Sequence, residues 1–275
     1  MKIFLTTSHN QSRQVSDLFY QIQNNYNDIV SFIVVESGES VFESKLINHP
    51  KFIVLKTDYS SFWAKSNAIG LEYIYSTYAK VIFDLIILNC DVRLNEWVGL
   101  HDENRLLTYY TVNNGIVIRS GYTISNWLLG QHYYPFLGEN FKRTSNSQVD
   151  IVPTRFIFIP RHILRTIWGI IPIFNRLPHY SSDFEFTYRI GKLSGKRWCI
   201  DTNTSIAEDY STTGIKSVSG GFIKRITLLF QKKSVYNIKD RFWYSYLLTN
   251  DKMFITRMSY ISSSIMKLII QVFRP

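Results

Sequence analysis

The first ninety residues alternate between short, largely apolar runs and longer amphipathic stretches, and this alternation constrains the fold more than any other feature of the chain. Ile3 to Leu5 is followed by a polar segment in which Val15, Leu18, Phe19 and Ile22 recur at helical spacing. A β-branched run from Ile29 to Val35 comes next, then Phe52 to Leu55, a helical stretch from Phe62 to Ala79, and an apolar run from Val81 to Leu88. Nearly continuous apolar runs suit parallel strands buried on both faces, and such strands need helical crossovers between them. The expected class is therefore α/β, with a Rossmann-like, mostly parallel central sheet flanked by helices. With 275 residues and 45% apolar side chains the chain can fill a large core, which excludes intrinsic disorder.

In sheets of this kind ligands sit beyond the carboxyl ends of the strands. The positions to inspect are thus Thr6 to Asn10, Glu36 to Glu39, Asp58, and Asn89 to Asp91, where hydroxyls and carboxylates collect. No Gly-x-Gly-x-x-Gly and no P-loop pattern is present, so a nucleotide would be held by other means. Asp91, at the end of an apolar strand, offers a hard oxygen donor to a divalent cation, or else caps the following turn. Glu36 can accept hydrogen bonds from a base or ribose, or belong to a solvated turn. Lys65 and Asn67, early in the long helix, can meet a phosphate or lie on a solvated face.

The second half is less regular. Asn113-Asn114-Gly115 signals a hairpin. Arg155 to Ile159 reads as a strand, and Ser181-Ser182-Asp183 as a helix start that Gly195 closes. Asp183 is either the cap of that helix or a general base for an attacking hydroxyl. His179 is the one histidine of six beside a suspected site, and no Gly-x-Ser-x-Gly elbow supports a hydrolase. Cys90 and Cys199 are too few for a disulfide framework or a zinc site, and no run reaches the length of a membrane span. A soluble, cytoplasmic chain is the expectation.

Five of these segments, in order, resemble the family 2 glycosyltransferases of the GT-A fold, in particular the rhamnosyltransferase-like bacterial branch that builds surface polysaccharides. Phe4 to Asn10 is similar to the family's opening strand and Thr-x-x-Asn turn, and Val34-Val35-Glu36-Ser37-Gly38-Glu39-Ser40 stands where it has Val-Asp-Asp-Gly-Ser. Lys65 to Leu71 resembles Lys-Ala-Asn-Asn-Ile-Gly-Ile, and Leu88-Asn89-Cys90-Asp91-Val92 resembles Leu-Asn-Pro-Asp-Val, this branch's metal motif. Leu177 to Phe186, with Arg189 and Gly195, is similar to Leu-Pro-His-Tyr-Gly-x-Asp-Tyr-Glu-Phe followed by Arg and Gly.

The resemblance covers residues 1 to 215. It implies an inverting, metal-dependent hexosyl- or deoxyhexosyltransferase with a UDP- or dTDP-linked donor and a glycan or lipid-linked acceptor. Thr7, Glu36, Lys65, Asn67, Asn89 and Asp91 would then serve the donor, Asp91 would bind Mg2+ or Mn2+, Asp183 would be the base, and His179 and Arg189 would meet the acceptor. Two departures stand out. Asn89 replaces a first carboxylate, and Ala207-Glu208-Asp209 stands where relatives often carry a histidine, so Glu208 or Asp209 would have to serve as the second metal ligand.

Charge divides the chain at Ser219-Gly220-Gly221. Residues 222–275 hold ten basic and two acidic side chains, +8 of the total +10, while residues 1–221 are nearly balanced. The expected organisation is a catalytic domain over 1–221 and a basic amphipathic helical tail over 222–275. In the tail, Ile261, Ile265, Leu268, Ile269 and Val272 form an apolar stripe that can lie on an anionic membrane surface or pack on the domain. The readings that compete with the transferase are an inactive scaffold of the same fold and a nucleic-acid binder using Trp243, Tyr244 and Tyr246.

Overall fold

The computed structural model describes residues 1–94, 104–142, 147–208, 222–231 and 234–273, without the side chains of Leu94 and Glu208. The first half runs β1 (Lys2–Ser8), α1 (Ser12–Asn25), β2 (Ile29–Glu36), α2 (Ser44–Ile47), β3 (Phe52–Lys56), α3 (Trp63–Thr77) and β4 (Asp84–Leu88). There follow β5 (Val92–Leu94), β6 (Leu106–Asn113), β7 (Ile116–Arg119), β8 (Thr123–Asn126), β9 (Gln131–Tyr133), β10 (Ser147–Val149) and β11 (Phe156–Ile159). The chain continues through α4 (Arg161–Thr166), α5 (Ser182–Ser194), β12 (Trp198–Glu208), α6 (Phe222–Leu228), α7 (Ile238–Leu248) and α8 (Phe254–Phe273). Asp209, the Ser219-Gly220-Gly221 linker, Lys232, Lys233 and Arg274 lie outside the described residues.

The main sheet has the order β10-β12-β6-β11-β4-β1-β2-β3. Strands β3, β2, β1 and β4 are parallel, as their apolar runs require. Alternate residues of each strand enter opposite layers: Ile3 and Leu5 join Leu71 and Ile74 of α3, whereas Phe4 joins Val15, Leu18 and Phe19 of α1. Each such side chain contributes about 1.5–3 kcal/mol on burial. The close approach of α3 to β1 is made at Gly70, where a Cβ would run into Leu5 and press on Val35.

The sheet is less parallel than its first half. Strand β11 runs antiparallel to both β4 and β6, so the direction reverses at the centre. The reversal turns the amino end of β11 toward the carboxyl end of β4, and the Asn89 N–H donates to the Arg155 carbonyl at 3.2 Å. The hairpin read from Asn113-Asn114-Gly115 joins β6 to β7, with Asn114 and Gly115 both in the left-handed region.

The two C-terminal helices share a core with the α/β body. Tyr244, Leu248 and Tyr260 pack with Tyr122, Ile124, Ile151 and Leu177, and the Tyr122 and Tyr244 hydroxyls are hydrogen-bonded. Lys192 on α5 pairs with Asp251 at 3.0 Å. The aromatics that a nucleic-acid platform would need are engaged: Tyr244 is buried, and Trp243 and Tyr246 are covered by the guanidinium groups of Arg176 and Arg257.

Candidate active site

A cleft of about 320 Å³ opens at the carboxyl ends of β1, β2 and β4, within the size range of small-molecule sites. Its position follows from the parallel half of the sheet, whose strand ends leave backbone groups and loop side chains unpaired at that edge. Thr7, Asn89, Asp91 and His179 all line it, from three separate stretches of sequence. Tyr59, Phe62 and Trp63 supply an aromatic wall, with the Phe62 ring stacked on the imidazole of His179 at 5.3 Å.

Glu36, next to Ser37 of the cleft wall, is itself fully buried. Its Oε1 accepts from the N–H of Gly38 at 2.6 Å and of Asn10 at 3.1 Å, tying the loop after β2 to the loop after β1. Burial works to raise its pKa, but the two backbone N–H groups and the nearby hydroxyls of Ser8 and Ser40 outweigh it and hold the carboxyl below its ordinary value. The group therefore contributes stability that is present above the unfolded pKa, near 4.3, and is lost as pH falls through the folded one. Glu36→Gln is expected to lower stability by about 1–3 kcal/mol at pH 7. The gap from wild type should narrow on acidification below about pH 4 in paired denaturant titrations.

Asp91 lies just past β4 with both carboxylate oxygens 3.4 Å from Nη1 of Arg155. The same guanidinium and that of Arg119 act on Asp183. Burial raises the pKa of Asp183, and its backbone hydrogen bonds and the two arginines only partly offset this. Asp183 is not the cap of α5. Ser181 holds that position in the left-handed region, the Ser182 hydroxyl turns back to the His179 carbonyl at 2.7 Å, and Asp183 falls in the first turn. A first-turn carboxylate is favoured by the helix dipole without being consumed by a cap.

The other residues singled out from sequence lie outside the cleft wall. Lys65 is exposed and paired with Asp58 at 2.8 Å. Asn67 is buried on α3, donating to the Trp63 carbonyl at 3.0 Å, and among the described residues its Oδ1 meets no hydrogen-bond partner. Arg189 forks onto Glu185 at 2.7 and 3.0 Å and donates to the Ile171 carbonyl. Glu208 closes β12, where its backbone pairs with Val92, the residue after Asp91.

The sequence reading missed Arg155, the cation that faces Asp91 and acts on Asp183, because it took that residue as the start of a strand. His9 was missed as well. Its Nδ1 lies 3.1 Å from the Ser37 hydroxyl, and its ring meets Tyr59 edge-on at 4.7 Å.

Among the described residues no three His, Cys, Asp or Glu side chains gather as a metal-binding cluster. The donors present nonetheless fit Mg2+ or Mn2+. These ions take hard oxygens and are commonly held by one or two carboxylates with the remaining positions filled by water and substrate phosphates. Asp91, exposed to the cleft beside the amide of Asn89, is such a donor.

No protein-family model matches the chain, and no curated protein sequence matches it. Solved structures do. GalNAc-T7, solved with UDP, GalNAc and Mn2+, superposes with a TM-score of 0.56 at 11% identity over 98% of this chain. The match takes in 54% of GalNAc-T7, so the chain spans about half of that protein's length. The mannosyltransferase PcManGT from Pyrobaculum calidifontis, in complex with GDP-Man and Mn2+, superposes with a TM-score of 0.50 at 8% identity over 98% of this chain and 73% of the other. The chain has the GT-A fold of these glycosyltransferases.

Proposed function

We propose that the chain is an inverting glycosyltransferase that moves a sugar from a nucleoside-diphosphate donor to a hydroxyl of a glycan or lipid-linked acceptor, in the making of a surface polysaccharide. The observation that carries this reading is the placement of Asp91 and Asp183 about one guanidinium, next to a cleft at the strand ends. A nucleic-acid binder or an inert scaffold has no use for that arrangement. The two solved relatives were captured with UDP and with GDP-Man, which supports a nucleotide-sugar donor here.

In this reading Tyr59 and Phe62 flank the base, Thr7 and the Ser37 hydroxyl reach the ribose, and Glu36 holds the two loops that shape the pocket. Asp91, with Asn89 and the end of β12 at Glu208 beside it, would hold a divalent cation, which neutralises charge building on the diphosphate when bound. Arg155 supplies a fixed positive charge at the same place. Asp183 takes the proton of the acceptor hydroxyl while that oxygen bonds to the anomeric carbon. The bond from this carbon to the diphosphate oxygen breaks, and its electron pair leaves with the nucleoside diphosphate. Attack opposite the leaving group inverts the centre.

Calorimetry with UDP, dTDP and GDP, each with and without Mn2+, tests the reading. Binding of at least one nucleotide, tightened about tenfold or more by Mn2+, is expected. Silence toward all three would overturn it.

A further inference from the structure

The last helix carries a second apolar face. The stripe visible in the sequence turns inward: Ile261, Leu268 and Val272 are buried, together with Tyr260 and Ser264. Amphipathic logic then calls for a polar outer face. Instead Phe254, Ile255, Met258, Met266 and Ile270 are exposed by 74, 72, 45, 58 and 55%. The helix has two charged residues, and both are engaged by carbonyls of the protein: Arg257 by those of Thr249 and Asn250, Lys267 by those of Leu129 and Gly130.

Two neighbours extend this surface. The Phe222 ring packs on that of Phe273 at 5.4 Å and Arg225 donates to the Val272 carbonyl, which joins α6 and its exposed Phe222 and Ile223 to the end of α8. On the other side the Ser259 and Ser263 hydroxyls donate to the carbonyls of Leu128 and Leu129 at 2.6 Å, holding these two half-exposed leucines against the helix. The charge around the patch has one sign. Lys224, Lys239 and Lys267 are exposed, while the acidic residues of the region are withdrawn, Asp240 by burial and Asp251 by its pairing with Lys192.

We propose that the outer face of α8, with α6 and the Leu128-Leu129 turn, docks on an anionic lipid surface. An apolar strip bordered by lysines matches an acyl boundary under acidic headgroups. A second copy of the chain would bring two basic rims together, which disfavours a symmetric dimer through the same face. Among the described residues no helix is long and apolar enough to cross a membrane, so the helix lies along the surface. The docking element is joined to the proposed active site, because α7 packs on α5, in whose first turn Asp183 lies. The proposal does not rest on the transferase reading, although the two together place the acceptor on a lipid.

Flotation of the full chain with vesicles tests it. Binding is expected to vesicles that mix phosphatidylcholine with phosphatidylglycerol, not to phosphatidylcholine alone, and should weaken with salt. Lys224→Glu should weaken it about fivefold or more. Ile255→Glu combined with Met266→Glu should abolish it while leaving the circular dichroism spectrum and nucleotide calorimetry unchanged, since both side chains face outward. Three results would overturn the proposal: no binding of the wild type to the mixed vesicles, wild-type binding by the double variant, or a wild-type dimer in light scattering that the double variant converts to a monomer.

Discussion

Replacement of Asp183 by asparagine is expected to cut transfer by about 10²- to 10⁴-fold, the usual contribution of a positioned general base, with nucleotide affinity unchanged. The side chain keeps its volume and loses only its capacity to take a proton. The environment sharpens the expectation. Burial lifts the Asp183 pKa, against the pull of its backbone hydrogen bonds and of Arg155 and Arg119. Its basic form therefore appears at higher pH than for an ordinary aspartate, and the acid limb of kcat/KM for the wild type should lie above that of a solvated carboxylate. The same shift has a stability consequence of definite sign. A carboxyl whose folded pKa is raised binds its proton more tightly in the folded state, so stability falls as pH rises from the unfolded pKa through the folded one. Asp183→Asn removes that cost, and thermal melts at pH 7 should show a variant at least as stable as the wild type and nearly inactive. Unchanged turnover, or lost activity that merely tracks a lower Tm, would remove Asp183 from the mechanism.

The parallel half of the sheet was legible because burial on both faces leaves a nearly unbroken apolar run: Ile29 to Val35 is interrupted by Ser31 alone and Val81 to Leu88 by Asp84 alone, although the second strand itself starts only at Asp84. The strand at the centre of the sheet was legible as a strand but not in direction. Nothing local distinguishes Phe156 to Ile159 as antiparallel, since a strand buried on both faces has the same composition either way. Direction decides which end of a strand faces the ligand. For β4 it is the residues that follow, and Asn89 and Asp91 were found by that rule, whereas Thr7, expected past a strand ending at Leu5, lies inside β1, which runs on to Ser8. For β11 it is the residue that precedes, and Arg155 was passed over. The tail shows the complementary limit. Periodicity identified the stripe of Ile261, Leu268 and Val272, but an amphipathic pattern does not name its partner, and here the partner is the protein itself. The outward face was hidden because its residues are apolar too, so α8 lacks the polar side that makes a stripe readable. Asn67 and Arg189 belong to the same lesson: both sit in motif-like positions, yet one is buried against the sheet side of α3 and the other is held by Glu185.

Asp91→Asn and Arg155→Met together separate the two charges at the diphosphate end of the cleft. Asp91→Asn leaves a neutral amide where a hard anionic donor stood, and is expected to abolish the effect of Mn2+ on nucleotide binding and to lower transfer by about 10²- to 10³-fold. It also takes one carboxylate charge away from Arg155, whose guanidinium faces both Asp91 oxygens at 3.4 Å. Metal-free nucleotide binding should therefore persist in this variant or rise, because the cation no longer divides its charge between carboxylate and phosphate. Arg155→Met inverts the pattern. It leaves Asp91 able to respond to Mn2+ and removes one of the two cations that moderate Asp183. The Asp183 pKa should then climb further, and the acid limb of kcat/KM should move to higher pH than in the wild type. A scaffold arginine holding Asp91 in place would lower activity at every pH without displacing that limb. A limb moved to higher pH in Arg155→Met, set against a limb not moved upward and a lost Mn2+ response in Asp91→Asn, is the outcome that makes Arg155 a shared electrostatic partner of both carboxylates.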